Sequence, residues 1–385
     1  MKSHIYQAWN HRVPLNFPTG VSLHSHTSRS KETMSFIPRY VEDIPYLWHR
    51  IRSLESSYRV HHGEAFDYSR VWWNPPLEPK AAFDLERAQL ENLGCEALVS
   101  LTDHDNVEAG FALELFPEAE GAPVSTEWTV HTGKSFLHLG VHNLQPARAR
   151  MLMAEMERVT AARNPERSAE MLDELTRDPG TLVVVNHPLW DEAKVGGGHH
   201  RVELGAFVKR FRPYLHAFEL NGLRSAKENS EVARLAEEIG LPVVGGGDRH
   251  GCEPNALINL TRARTFAEFV EEVRGGAPTH TVFLEQYRRS LVVRVIELMS
   301  DVLRNYDGFD EGRRLWSDRV FYASPDGTVK RLSDVWTGNG PCVIGQFVSG
   351  VQFLRRHLLG PSKLGQAIIG GNDARRVLHG FLPRD

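Results

Sequence analysis

Cysteine is scarce in this chain: there are three in 385 residues, Cys95, Cys252 and Cys342, far apart and in no CxxC pair. An odd, scattered set argues against a disulfide framework. Long apolar runs are missing too. No stretch approaches the roughly 18 apolar residues of a membrane span, and the N-terminal MKSHIYQAWNHRVPLNF has no apolar signal-peptide core, so a cytoplasmic chain is expected. Charge of one sign is nowhere concentrated. The net charge of -4 comes without a long acidic or basic run, which removes the electrostatic footprint of duplex nucleic acid or an anionic membrane and leaves room for a small anionic substrate. Internal repeats and low-complexity tracts are absent. With 41% hydrophobic and 24% charged residues the composition is that of an ordinary globular chain of one or two domains. What the sequence has in abundance is histidine, 19 in all.

Short runs rich in β-branched and aliphatic residues predict buried strands over residues 20–27, 97–104, 124–130, 136–143, 181–188, 217–222 and 242–250. Helical spacing lies between most of them, in DLERAQLENLG from Asp84 and over residues 146–163, 165–177 and 225–240. Alternating strands and helices imply an α/β fold with a largely parallel sheet, open or closed into a barrel. Residues 31–80 break this rhythm with aromatic-rich irregular sequence too long for an ordinary βα connection, either a lid or an excursion with its own small core. After about Gly276 the pattern changes. It predicts a long helix over 282–304, a hairpin around SPDGT at 324–328 and a second apolar helix over 342–359. The division is therefore residues 1–276 and a mainly helical C-terminal extension, 277–385, that packs on the first part or forms an oligomer contact.

The chemistry sits where strands run out. His24 and His26 in SLHSHTS are two apart, so in extended backbone both point to one side, a chelating arrangement that alone could be a polar patch. LTDHDN places Asp103, His104 and Asp105 at the end of the next strand, where α/β folds collect their ligands; Asp105 or Asn106 also suits a helix cap. Glu127 lies inside a strand, where an unpaired carboxylate would be costly and a cation would explain it. His138 and His142 share a face of the next strand, with His142 read as supporting or structural. His187 ends the apolar LVVVN run, and PVVGGGDRHG offers Asp248 and His250 after glycines that let the backbone approach something bound. Together His24, His26, His104, Glu127, His138, His187, Asp248 and His250 exceed what one cation needs. Two or three divalent transition-metal ions (Zn, Fe or Mn) follow, with Glu127 as bridge.

The ordered set HSHT at residue 24, TDHDNVEAG at 102, TEW around Glu127, HLG at 138, NHP at 186, FELNG at 218 and GDRH at 247 resembles the polymerase-and-histidinol-phosphatase (PHP) family of metal-dependent phosphoesterases. The resemblance spans residues 20–276 and implies a distorted seven-stranded TIM-like β/α barrel. It implies one metal on His24, His26, Glu127 and Asp248, a second on Glu127, His138 and His187, and a third involving His104 and His250. The family's third site also takes an Asp or His shortly after the HxH. Here SRSKETM puts Lys31 about there, with Glu32 beside it. The expectation is a dinuclear enzyme in which the Lys31 ammonium replaces the third cation; the alternative is a one-residue shift that lets Glu32 complete it. Ser22 stands where the family usually has Asp, and its hydroxyl can still hydrogen-bond.

Such cations, about 3.5–4 Å apart, activate a water and stabilise a leaving oxygen, which points to hydrolysis of a small phosphate ester. Candidate phosphate contacts are Arg29, Lys31, Arg224, Arg249 and the His199–His200 pair in a flexible GGGHHR loop, with Arg249 foremost because ligands flank it. Asp103 is the candidate for moving a proton or orienting His104, and Asn221 for touching substrate or holding its loop. A small phosphorylated substrate is expected, with no membrane, no long nucleic acid and a homo-oligomer allowed. The alternatives are a 3′-5′ exonuclease-type phosphodiesterase on short oligonucleotides and a non-catalytic metal-binding module. An amidohydrolase would favour a carboxylated lysine at a strand end, and none of these strand ends offers one.

Overall fold

The computed structural model describes residues 2–9, 16–35, 45–324, 326–335 and 342–357. Helix signals in the sequence act where they are read. α4 (Pro146–Ala162) and α5 (Pro165–Arg177) each open on proline, and Asn164 caps α5 by accepting from the Glu166 and Arg167 amides. Ser225 caps α7 (Ala226–Ile239), which ends on left-handed Gly240, and a Thr265–Glu268 capping box starts α8 (Phe266–Arg274). Ahead of these lie α1 (Pro45–His62), α2 (Pro79–Asn92) and α3 (Glu108–Leu113), and between α5 and α7 lies α6 (Gly197–Phe211). The C-terminal helices are α9 (Leu291–Val302), α10 (Leu332–Val335) and α11 (Cys342–His357).

Among the described residues, ten of the strands form two five-stranded sheets. One holds β1 (Ser3–Gln7), β12 (Thr279–Phe283), β11 (Leu257–Thr261), β2 (Thr19–Ser22) and β5 (Glu96–Val99) in that order. The other holds β10 (Val243–Gly246), β9 (Ala217–Asn221), β8 (Leu182–Asn186), β7 (Ser135–Leu144) and β6 (Val124–Thr132). They meet at two seams. Beyond β2 and β10, the Gly247 amide donates to the Leu23 carbonyl (3.1 Å), Asp248 to His24 (2.8 Å) and His26 to Arg249 (2.8 Å). Beyond β5, the Glu127 amide donates to the Asp103 carbonyl (3.1 Å) and Asp105 to Glu127 (2.9 Å).

The fold is mixed α/β, but less parallel than alternation predicts. β7 runs antiparallel to both β6 and β8, because a tight turn rather than a helix joins β6 to β7, and β11 is antiparallel to β12 and β2. Residues 282 and 283 belong to β12, and α9 begins only at Leu291, where the Ser290 hydroxyl caps it. The apolar run 282–304 thus contains a strand end, a turn and a helix, which periodicity alone does not separate. β1, β11 and β12 carry no strong signal of their own.

A third, four-stranded sheet has the order β14-β13-β4-β3: β3 (Glu32–Thr33) and β4 (Val71–Trp73) come from the 31–80 excursion, β13 (Val320–Ala323) and β14 (Val329–Arg331) from the predicted hairpin. The excursion and the C-terminal residues therefore share one sheet, and the extension is not purely helical. Residues 36–44 of the excursion, Pro325 of the hairpin and 358–359 of the last predicted helix lie outside the described residues.

Candidate metal centre

Consecutive strand ends feed one buried cluster. His24 and His26 follow β2, His104 follows β5, Glu127 lies in β6, His138 in β7, His187 follows β8, and Asp248 and His250 follow β10. Three of them leave their strands through left-handed backbone: His24 (φ 64°), His187 (φ 29°) and Asp248 (φ 55°). That conformation is costly for a non-glycine residue and concentrates at functional positions. Here it turns the chain at the strand end while keeping the side chain in the cluster.

Glu127 is fully buried and central. Its Oε1 lies 3.1 Å from His24 Nε2, 3.2 Å from His187 Nε2 and 3.6 Å from His138 Nδ1, while Oε2 lies 3.3 Å from His26 Nε2 and 3.2 Å from His104 Nδ1. Asp248 Oδ1 lies 3.7, 3.6 and 3.5 Å from His24, His26 and His250. Glu32 joins the other side, with Oε2 3.3 Å from His104 Nε2 and 3.2 Å from His250 Nε2. Donor atoms within 4.8 Å of one another form four overlapping groups: His24, His26 and Asp248; His24, Glu127 and His187; His104, Glu127 and His138; and His26, Glu32, His104 and His250.

The electrostatics follow from this crowding. Burial opposes charge on His24, but Glu127 and Glu219 outweigh it and hold its pKa well above 6.5. Burial pushes the Glu127 carboxyl up, and the surrounding imidazoles more than reverse this and hold it well below the usual range. His138 is held well below its ordinary value by burial, despite the neighbouring Glu127, so it stays neutral and able to coordinate. Yet four ligand-type atoms inside the cluster, His24 Nε2, His26 Nε2, Glu127 Oε2 and His138 Nδ1, are buried with no hydrogen-bond partner. Orphaned polar atoms are expensive, and four converging at donor spacing fit divalent cations coordinated by imidazole and carboxylate.

Behind the cluster stand carboxylates that the sequence reading missed. Glu219, in the middle of β9, places Oε1 2.5 Å from His24 Nδ1 and with Oε2 accepts the His187 amide (2.9 Å) and Asn221 Nδ2 (2.8 Å). A Cβ on Gly246 would meet the Glu219 carboxylate, and one on Gly247 the Asn255 amide. Those glycines therefore make room for supporting side chains. Glu86 on α2, fully buried, accepts from Ser22 Oγ (2.9 Å), Ser25 Oγ (3.3 Å) and the Asn255 amide, and sits 2.9 Å from Arg249 Nε. Ser22 thus works as a donor to Glu86. Glu192 Oε2 lies 3.8 Å from His138 Nδ1, and burial pushes its carboxyl up. The argument applied to Glu127, a carboxylate inside an apolar strand, would have found Glu219; Glu86 looks like an ordinary helix-surface residue.

Several expected roles change. Lys31 is exposed and its ammonium lies 5.5 Å above the Trp72 ring, while Glu32, and not Lys31, stands among the cluster's donors. β3 begins at Glu32, which faces Trp73 of β4, and Lys31 lies just before it. Arg249 is buried beside Glu86 (2.9 Å) and donates to the carbonyls of Gly251 (2.8 Å) and His26 (3.0 Å), so its guanidinium faces the protein interior's own acceptors. Asp103 accepts from the Thr27 amide (2.5 Å) and hydroxyl (2.7 Å), anchoring the loop that carries His24 and His26 instead of orienting His104. Asn221 is buried and holds Glu219. His199 and His200 lie in α6, not in a loop: His200 is buried between Ser135 Oγ and the Pro188 carbonyl (both 2.9 Å), and His199 pairs with Glu203 on the surface. Arg29 is exposed, 4.0 Å from Glu78. Arg224 remains at the cluster's edge, its guanidinium 3.6 Å above the Trp190 ring and 3.4 Å from Asp248 Oδ2. His142 is buried, 2.8 Å from Ser100 Oγ, and belongs to none of the four donor groups.

No protein-family model matches the chain, and no curated protein matches its sequence. Among solved structures it is similar to PsfC from Pseudomonas syringae, at 15% identity and a TM-score of 0.41 over 72% of this chain and 95% of that one. It is similar to a candidate metal-dependent phosphoesterase from Bifidobacterium adolescentis (16%, TM-score 0.34, 53% of this chain and 92% of that one). An amidohydrolase from Chromobacterium violaceum, with bound sulfate and no metal, matches at 19% and 0.34 over 52% and 92%. At these values residue roles rest on this chain's own geometry. No helix among the described residues is long and apolar enough to cross a membrane.

Proposed function

We propose that the chain is a metal-dependent phosphoesterase of the PHP type, holding three divalent transition-metal cations and hydrolysing a small phosphate ester. The observation that carries this reading is the convergence of five strand-end histidines, His138 from within β7, Glu127, Asp248 and Glu32 around four orphaned ligand atoms. In it β2, β5, β6, β7, β8, β9 and β10 make a distorted seven-stranded barrel, closed through the two seams, with the cluster at its mouth.

His24, His26 and Asp248 would hold one cation, Glu127 with His138 and His187 a second, and Glu32, His104 and His250, beside His26, a third, with Glu127 reaching more than one. Such cations, when bound, make a water nucleophilic at neutral pH and neutralise charge on the phosphate oxygens. The chain's own residues do the rest. Glu219 keeps the His24 ring oriented, Asp103 holds the Thr27 backbone, and Arg224, braced on Trp190, is the guanidinium placed to meet a phosphate oxygen. Zn, Mn and Fe all suit the donors.

The test is to load the purified chain with each metal and assay phosphate release from nucleoside and sugar monophosphates, beside short oligonucleotides and amides. Phosphate release that Glu127→Gln abolishes is expected. A chain that binds metal but frees phosphate from no ester would refute the activity and leave the metal-binding module.

A further inference from the structure

Glu32 differs from the other cluster carboxylates in what holds it. Glu127 and Asp248 are fixed by the two main sheets and their seams, whereas Glu32 sits on a two-residue strand at the edge of the third sheet. In that sheet Glu32 is opposite Trp73, and Trp73 is opposite Val320 of β13 on its other side. So short a strand cannot hold its own register; its neighbours must.

The link is specific. Asn74, immediately after β4, donates through its side-chain amide to the Ser30 carbonyl and through its backbone amide to the Arg319 carbonyl (2.9 Å). The Ser30 hydroxyl donates to Glu32 Oε1 (2.5 Å), lies 3.4 Å from His26 Nδ1 and accepts the His104 amide (3.1 Å). Ser30 thus touches three of the four residues around that cation position. At the other end Arg319 is buried, its guanidinium donating to the carbonyls of Val302, Arg304, Arg313 and Leu315, all in the C-terminal part. The Phe321 ring of β13 stacks on Trp72 at 5.6 Å, and the Trp73 ring lies 5.7 Å from His250.

We propose that Asn74 is a positioning residue through which the C-terminal hairpin controls occupancy of the cation position on Glu32, His104 and His250 beside His26, more than that of the positions around Glu127 and Asp248. This rests on the metal reading above. The C-terminal residues then make the difference between a three-cation and a two-cation centre, although none of them is a ligand.

The experiment is equilibrium dialysis of the full chain against graded Mn2+ or Zn2+, with elemental analysis and a thermal melt, for the wild type, Asn74→Ala, Asn74→Ser, Phe321→Ala and Glu32→Gln. Three cations are expected on the wild type. Asn74→Ala and Asn74→Ser should weaken the third by about tenfold or more with a smaller effect on the other two, as removal of a ligand's support generally does. Phe321→Ala, which touches no ligand, should shift the same step less. If both Asn74 variants keep wild-type third-site affinity while Glu32→Gln loses that cation, the relay is overturned and the metal reading stands. Equal weakening of all three also overturns it. A folded wild type that binds no metal overturns both. Should neither Asn74 variant fold, Phe321→Ala decides: an unchanged third step rejects the proposal.

Discussion

His24 Nδ1 lies 2.5 Å from Glu219 Oε1, a carboxylate from the middle of β9 against a ring from the end of β2. The contact fixes the His24 tautomer with the proton on Nδ1, leaving Nε2 to face Glu127 and Asp248. A carboxylate behind a ligating imidazole raises its basicity and locks its orientation. Glu219→Gln keeps the volume and removes the charge. It is expected to weaken metal binding by about 10- to 100-fold with a near-normal melt of the metal-free protein. A titration with a chromogenic metal buffer reads this directly, and an unchanged affinity would reject the role.

Lys31 and Glu32 are neighbours with opposite consequences. Lys31→Ala removes an exposed ammonium that rests over Trp72 and should leave both metal content and phosphate-ester KM within about twofold, the ordinary outcome for a surface substitution. Glu32→Gln should release one cation. A KM that rises strongly in Lys31→Ala would restore the lysine to the substrate's side.

Arg249 and Glu86 form a buried ion pair at 2.9 Å. Arg249→Met leaves the Glu86 carboxylate without its cation in an interior that already pushes its pKa up. A loss of about 3–5 kcal/mol is expected in urea denaturation with chelator present, and the double variant with Glu86→Gln should recover much of it. If the single and double variants were equally unstable, the pair would not be the cause.

Two histidines, His142 buried and His216 half-buried, set an acid limit. Burial pushes His142 and His216 down from 6.5 to about 3. The unfolded chain then takes up a proton below about pH 6.5 that the folded chain refuses until about pH 3, so stability falls progressively as pH drops through that window. For fully buried His142 the loss between pH 7 and pH 5 is about 2 kcal/mol. His142→Asn, whose side-chain amide can still hydrogen-bond the Ser100 hydroxyl, should lose about 2 kcal/mol less than the wild type over that interval, both measured in chelator. Equal pH slopes would refute the assignment, and retained metal would agree with its distance from the donor groups.

The sequence by itself determined much of the inventory: most strands around the site, that His24, His26, His104, His187, Asp248 and His250 follow strands while Glu127 and His138 lie within them, and that helices run from about Pro146, Pro165 and Ser225. Those signals are local, because a polar residue ending an apolar run and a capped helix start are both written in a few adjacent positions. Tertiary structure alone decided which groups face inward and what they touch. Lys31, just before β3, stays exposed while Glu32 enters the cluster, and the register of β3 depends on β4 and, through it, on β13 nearly 290 residues away in sequence. Arg249 reads as a free cation until Glu86 of α2 is packed against it, and Asn221 as a substrate contact until Glu219 claims its amide. A side chain's pairing in the interior is set by whichever segment happens to pack there, and no window of the chain contains that information.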